Sequence, residues 1–177
     1  MPRLFTGLEL PDGVVGQLAL MRGGVVGARW LEPDDYHITL RFIGDVDGGV
    51  ARDIAETLSD IRRSRALVRF EGLGWFGSAK PRAIVAKVKA DPALVNLQAE
   101  QERRLRRLGM EPETRKYTPH VTLARLRGGG QAAVANYLAE RAALIAESFT
   151  AARFVLYSAR EGSGGGPYVV EAAYPLG

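Results

Sequence analysis

The sequence predicts an α+β fold: two pseudo-symmetric lobes, each an antiparallel sheet backed by helices, around a central cleft. Three observations carry that expectation. Apolar residues alternate at period two in some segments and recur at helical spacing in others. The order strand, helix, strand, helix, further strands runs through the first half of the chain and roughly returns in the second, as a pseudo-repeat. The two histidines of this 177-residue chain each open a matching tetrad, His37-Ile38-Thr39-Leu40 and His120-Val121-Thr122-Leu123. They lie 83 residues apart (120 − 37), so only a pairing of the two halves brings them together. The length suits one bilobal domain spanning 1–177.

Arg3 to Leu10 reads as the first strand, with Leu4, Thr6, Leu8 and Leu10 on one face. Pro11 and Asp12 start a helix, since proline is tolerated in a first helical turn; Val14, Leu18, Met21 and Val25 form its apolar stripe. Ala28 to Leu31 is a short extended piece, and Glu32 to Asp35 a polar turn before the first tetrad. That strand continues through Arg41, Phe42 and Ile43 to Gly44. Asp47 to Arg65 is a second helix, with Val50, Ile54, Leu58 and Ile61 inward. Leu67 to Phe76 is a strand broken by Gly72 and Gly74; its Trp75 and Phe76 are either core or a platform for a nucleobase.

Arg82 to Lys89 is a strand, and Asp91 to Leu108 a third helix with Leu94, Leu97, Leu105 and Leu108 inward and Gly109 as its stop. The charge-dense run Glu100 to Arg107 reads as a solvated helix face. Glu111 to Thr118 leads into the second tetrad, whose strand runs on through Ala124 and Arg125 to Leu126. Gly128 to Gly130 form a flexible link, followed by a fourth helix from Gln131 to Ala146 with Val134, Leu138, Ala142 and Ile145 inward. Phe149 to Ala159 is a strand, Gly162 to Gly166 a glycine-rich hairpin loop without the lysine and helix of a P-loop, and Tyr168 to Leu176 the closing strand.

Alternation gives the tetrads a chemical meaning. In a strand, side chains switch faces at every residue. His37 and Thr39 share one face, with Ile38 and Leu40 on the other; His120 and Thr122 repeat the arrangement. Two such strands side by side present two imidazoles and two hydroxyls to one groove. An imidazole serves as acid or base near neutral pH, and a hydroxyl donates to anionic oxygens. This set suits acid-base cleavage of a phosphodiester without a metal. By parity Arg41 joins the face of His37, where it either meets a phosphate or forms a rim ion pair.

Of 24 basic residues 20 are Arg, and the net charge is +4, a weak pointer to an anionic partner. No cysteine is present, which excludes disulfide and thiolate chemistry. No apolar run approaches a membrane span, and Glu9 and Asp12 interrupt the layout of a signal peptide. The expectation is a cytoplasmic monomer with no membrane partner.

The segments RLFTGLELP, RWLEPDDYHITLRFIGDV, YTPHVTLARL and FVLYSAR with GPYVVEAAYPL resemble the 2H phosphoesterases, and within them the RNA 2′,3′-cyclic phosphodiesterases, also called 2′-5′ RNA ligases. The resemblance covers nearly the whole chain, with the long glycine run before Pro167 as a departure. It implies hydrolysis of an RNA 2′,3′-cyclic phosphate end to a 2′-phosphate, with no cofactor. It assigns His37 as proton donor, His120 as proton acceptor, and Thr39 and Thr122 as holders of non-bridging oxygens. The near-symmetric tetrads do not by themselves distinguish acid from base. The resemblance also places Arg125 at the phosphate, although simple alternation puts it on the wrong face unless a bulge or the strand end re-aims it. A catalytically silent RNA-end binder is the competing class. A metal hydrolase fits poorly, because two lone histidines lack nearby carboxylate or cysteine ligands.

Overall fold

The computed structural model describes residues 2–128, 130–159 and 168–177. The expected hairpin loop at 162–166 and the middle of the link at 128–130 lie outside these. Ten strands and four helices are described: β1 (Arg3–Leu8), α1 (Asp12–Ala19), β2 (Ala28–Trp30), β3 (Ile38–Asp45), α2 (Gly48–Ser59), β4 (Ala66–Val68), β5 (Phe70–Gly77), β6 (Pro81–Val88), α3 (Pro92–Arg107), β7 (His120–Leu126), α4 (Gln131–Glu140), β8 (Phe149–Ala151), β9 (Arg153–Ala159) and β10 (Val169–Pro175). A single 3₁₀ turn, Pro33–Asp35, precedes β3.

The α+β architecture with helix-backed sheets is as expected. The strand order β10-β9-β1-β3-β7-β6-β5 divides into a first half, β10-β9-β1-β3, and a second, β7-β6-β5. The halves join where Ile38 faces Val121 across β3 and β7, both fully buried. β2 leaves its own half and adds to β7 in the other. The main core lies between the sheet and its helices. It includes Leu4 and Leu8 of β1, Val14 and Leu18 of α1, Ile54 and Leu58 of α2, and Leu94, Leu97 and Leu105 of α3. A second cluster sets Val134 and Tyr137 of α4 against Ile84, Ala124 and Leu126.

Several boundaries differ from expectation. α1 stops at Ala19, ahead of Gly23 and Gly24 at φ 93° and 89°, so Val25 packs in the second cluster rather than continuing a helical stripe. α2 ends at Ser59, short of Arg65; Asp47 caps its start, accepting from the Val50 amide at 2.9 Å. α4 ends at Glu140, which leaves Ile145 57% exposed instead of inward. Its anchor is Tyr137, whose hydroxyl donates to the Met21 carbonyl at 2.7 Å. Leu108 follows the end of α3 and is partly exposed. The strands expected at Leu67–Phe76 and Phe149–Ala159 are each split, and their short leading pieces β4 and β8 pair in a separate ribbon.

Each tetrad ends in an extra residue in its strand. Across β1 and β3, Thr6 faces Arg41 and Gly7 faces Thr39, so Leu40 is skipped. Across β6 and β7, Ile84 faces Ala124 and Val85 faces Thr122, so Leu123 is skipped. Such a bulge puts two successive residues on one side and reverses parity beyond it. Leu40 and Arg41 are both buried on the helix side, as are Leu123 and Ala124. The next residues, Phe42 and Arg125, return to the face of the histidines.

Candidate active site

One face of the sheet carries the tetrad side chains. Extending the Ile38–Val121 register by one residue each way sets His37 across from Thr122 and Thr39 across from His120. β1 approaches closely beneath them because residue 7 is glycine: a Cβ there would lie 2.6 Å from the Ile38 carbonyl oxygen. The Tyr117 hydroxyl donates to the Thr39 carbonyl at 3.0 Å, tying the lead into the second tetrad to the first.

Both imidazoles are held alike. Nδ1 of His37 lies 2.9 Å from the Asp35 carbonyl oxygen, and Nδ1 of His120 lies 2.7 Å from the Thr118 carbonyl oxygen. A carbonyl only accepts, so Nδ1 carries the hydrogen in each ring and the Nε2 of the neutral ring is left able to accept a proton. Nε2 of His37 lies 3.0 Å from Oγ1 of Thr39. Phe5 (4.9 Å between ring centroids), Tyr168 (5.1 Å) and Tyr157 (5.6 Å) wall the His37 ring. That burial lowers its pKa to about 4, with the charges of His120 and Arg125 acting in the same direction. Burial also lowers His120, again helped by Arg125; Phe76 meets its ring edge-on at 4.6 Å.

The bulge at Leu123 resolves the parity conflict at Arg125. Its charge acts on both imidazoles, and it bonds the Tyr168 hydroxyl. The same device turns Arg41 off the parity face, and of its two expected roles the structure shows the ion pair. Its side chain passes to the helix side, is 6% exposed, and donates to Glu102, to the Phe42 carbonyl and to the Glu111 carbonyl. Glu102 also accepts from the Glu113 amide at 2.9 Å and from Arg106 at 2.8 Å. Arg41 thus fastens α3 and the lead into His120 to the first tetrad strand, and its donors are taken up by protein. Phe42, 50% exposed, holds in the first half the position that Arg125 holds in the second.

Two cavities flank the histidines. A cleft of 720 Å³ is bordered by Thr39, Arg41, Phe42, Phe76, Arg82 and His120, among others. Phe76 therefore faces the cleft, while Trp75 packs on the α4 cluster. A smaller cavity of 260 Å³ is bordered by Arg29, Trp30, Asp35, Arg125 and Tyr168, among others. Sequence reasoning missed Arg29, Phe5, Tyr157 and Tyr168 as neighbours of the site. They come from β1, β2, β9 and the start of β10, and only the sheet order brings them together. Among the described residues no group of three or more His, Cys, Asp or Glu could hold a metal ion, and no helix is long and apolar enough to cross a membrane.

Comparisons with known proteins agree with this geometry. The model of the LigT-like phosphoesterase family matches residues 8–85 and 87–168, one tetrad in each stretch. The chain is 39% identical over 121 residues to an RNA 2′,3′-cyclic phosphodiesterase of Aeropyrum pernix, covering 65% of this chain and 69% of that one. It is 30% identical over 130 residues to the Bacillus subtilis protein of the same name, covering 70% and 71%. Among solved structures, E. coli LigT complexed with 3′-AMP superposes with a TM-score of 0.79 at 22% identity, over 99% of both chains. A Thermus thermophilus protein, TT0787, gives 0.78 at 21%, over 98% and 97%; at these identities the likeness shows a shared fold. With the family model spanning both halves of the chain, and a tetrad in each, the chain belongs to the LigT-like phosphoesterases, a family of the 2H phosphoesterase superfamily.

Proposed function

We propose that this protein is an RNA 2′,3′-cyclic phosphodiesterase that opens a terminal cyclic phosphate to a 2′-phosphomonoester. The observation that carries the reading is the pair of tautomer-locked imidazoles set on one sheet face, with the guanidinium of Arg125 turned toward both. The cyclic phosphate lies between the two Nε2 atoms. His120 takes a proton from water as the water oxygen bonds to phosphorus. The bond from phosphorus to the 3′ oxygen breaks in line, and His37 delivers its proton to that oxygen. Thr39, Thr122 and Arg125 hold the non-bridging oxygens as negative charge builds. The terminal base lies in the larger cleft, against Phe42 or Phe76. A 5′-hydroxyl replacing water in the same geometry gives a 2′-5′ linkage.

Burial keeps both rings neutral in the free protein near neutral pH. The acid role of His37 therefore requires the bound phosphate anion, which favours the charged imidazole and raises its pKa. The test is product analysis on a short RNA with a cyclic phosphate end, in the presence of a chelator. A 2′-phosphate product at an undiminished rate is expected. His37→Ala and His120→Ala should each lower turnover by roughly 10²-fold or more. A 3′-phosphate product, or wild-type-like rates in either variant, would refute the assignment; binding of the RNA end without turnover would leave a silent end-binder.

A further inference from the structure

β2 places Arg29 directly opposite Arg125 of β7 in an antiparallel ladder. Opposed residues share a face and stand about 5 Å apart at Cβ, where two like charges repel. Neither guanidinium has a salt-bridge partner among the described residues. Both border the 260 Å³ cavity with Tyr168 and Asp35. Glu32, also at that cavity, is engaged with Arg22 at 3.7 Å. The lining sets two guanidinium groups against the carboxylates of Asp35 and Glu32, and Arg22 beside Glu32 adds a third positive charge nearby.

Within that cavity Arg29 is set back from the histidines by one strand. Arg125 lies beyond Thr122 on β7, and Arg29 lies a further strand away. The charge of Arg125 acts on both imidazoles, whereas that of Arg29 acts on the Tyr168 hydroxyl. Paired residues on neighbouring strands stand about 5 Å apart, so an anion held by Arg29 lies about one phosphate step from one held by Arg125.

We propose that Arg29, with the Tyr168 hydroxyl and beside the Arg125 that holds the reacting phosphate, forms a second anion subsite that takes the phosphodiester joining the terminal nucleotide to the rest of the RNA. It rests on the phosphodiesterase reading above and adds that the protein reads an RNA end rather than a nucleoside cyclic phosphate. Arg29 contributes a charge-assisted, two-pronged contact to a non-reacting phosphate. Its binding energy is available only to substrates of two or more nucleotides.

The experiment compares kcat/KM for an adenylyl dinucleotide ending in a 2′,3′-cyclic phosphate with that for adenosine 2′,3′-cyclic phosphate. The wild type should favour the dinucleotide by about tenfold at low salt, the scale of one hydrogen bond to a charged group. Replacing the internucleotide phosphate with an uncharged methylphosphonate should abolish that preference. Arg29→Gln should reduce the ratio toward one and make it insensitive to the methylphosphonate, while Arg29→Lys should retain part of it. A preference that survives the uncharged linkage in the wild type overturns the subsite, and that arm needs no variant to fold. An unchanged ratio in Arg29→Gln also overturns it, and both results leave the phosphodiesterase reading standing. Failure of the wild type to open either substrate removes the reading and the subsite together.

Discussion

Acid should weaken this fold through His37 in particular. The ring is walled by Phe5, Tyr157 and Tyr168, and burial lowers its pKa from 6.5 to about 4. Between those values the unfolded chain binds a proton that the folded chain does not. Stability gained from a neutral His37 is therefore complete above about pH 6.5 and is lost as pH falls toward about 4. The loss at about pH 4.5 works out to roughly 2.5 kcal/mol, a large part of the stability of an ordinary domain. Urea unfolding of the wild type and of His37→Gln, each at about pH 7.5 and about pH 4.5, measures it. The glutamine takes no proton, while the carboxylates and His120 titrate in both proteins and cancel in the difference. On acidification the variant should lose about 2.5 kcal/mol less than the wild type. Equal losses would refute the claim that aromatic enclosure holds this imidazole neutral.

Inorganic phosphate should move the His37 midpoint upward in an NMR titration, because an anion beside the ring favours its charged form; no movement would place the anion elsewhere. Arg41→Met should lower stability by roughly 3 kcal/mol in chemical denaturation, the scale of a broken buried ion pair. A raised KM with unchanged stability would instead return Arg41 to the phosphate. Gly7→Ala should cost roughly 1–3 kcal/mol, since the new methyl would meet the Ile38 carbonyl oxygen at 2.6 Å; faster amide exchange at Ile38 should accompany it. Inserting one alanine between Ala124 and Arg125 reverses the parity of β7 beyond the bulge and should turn Arg125 away from the histidines. Turnover should then fall by roughly 10²-fold or more, the scale of a lost transition-state donor, while circular dichroism stays close to the wild type.

The chemistry of the site was legible where local rules hold. Period-two alternation is correct from His37 to Leu40 and from His120 to Leu123, and the matched spacing identified both imidazoles as partners. It fails one residue later in each copy, because a bulge is a property of two strands in register and no single strand displays it. That failure tied Arg41 to Glu102 at the edge of the cleft and turned Arg125 toward the histidines. Helix ends erred where periodicity outran the packing: the apolar pattern of α4 continues past Glu140, but no sheet surface remains there to cover Ile145. Arg29 and Tyr168 carried no local signal. Their place near the histidines depends on which strand lies beside which, and β2 in particular pairs with β7, which follows it in the chain only after four further strands.

That pairing makes the halves of the chain interdependent. A fragment beginning after β6 and another ending there would each lack something the other owns. The N-terminal piece would keep β2 with nothing to lie against. The C-terminal piece would show the flank of β7 as a row of unmet amides and carbonyls, an invitation to bind another chain. Fragment complementation should accordingly yield working protein only when both pieces are made together, and refolding of the late piece alone should end in aggregates.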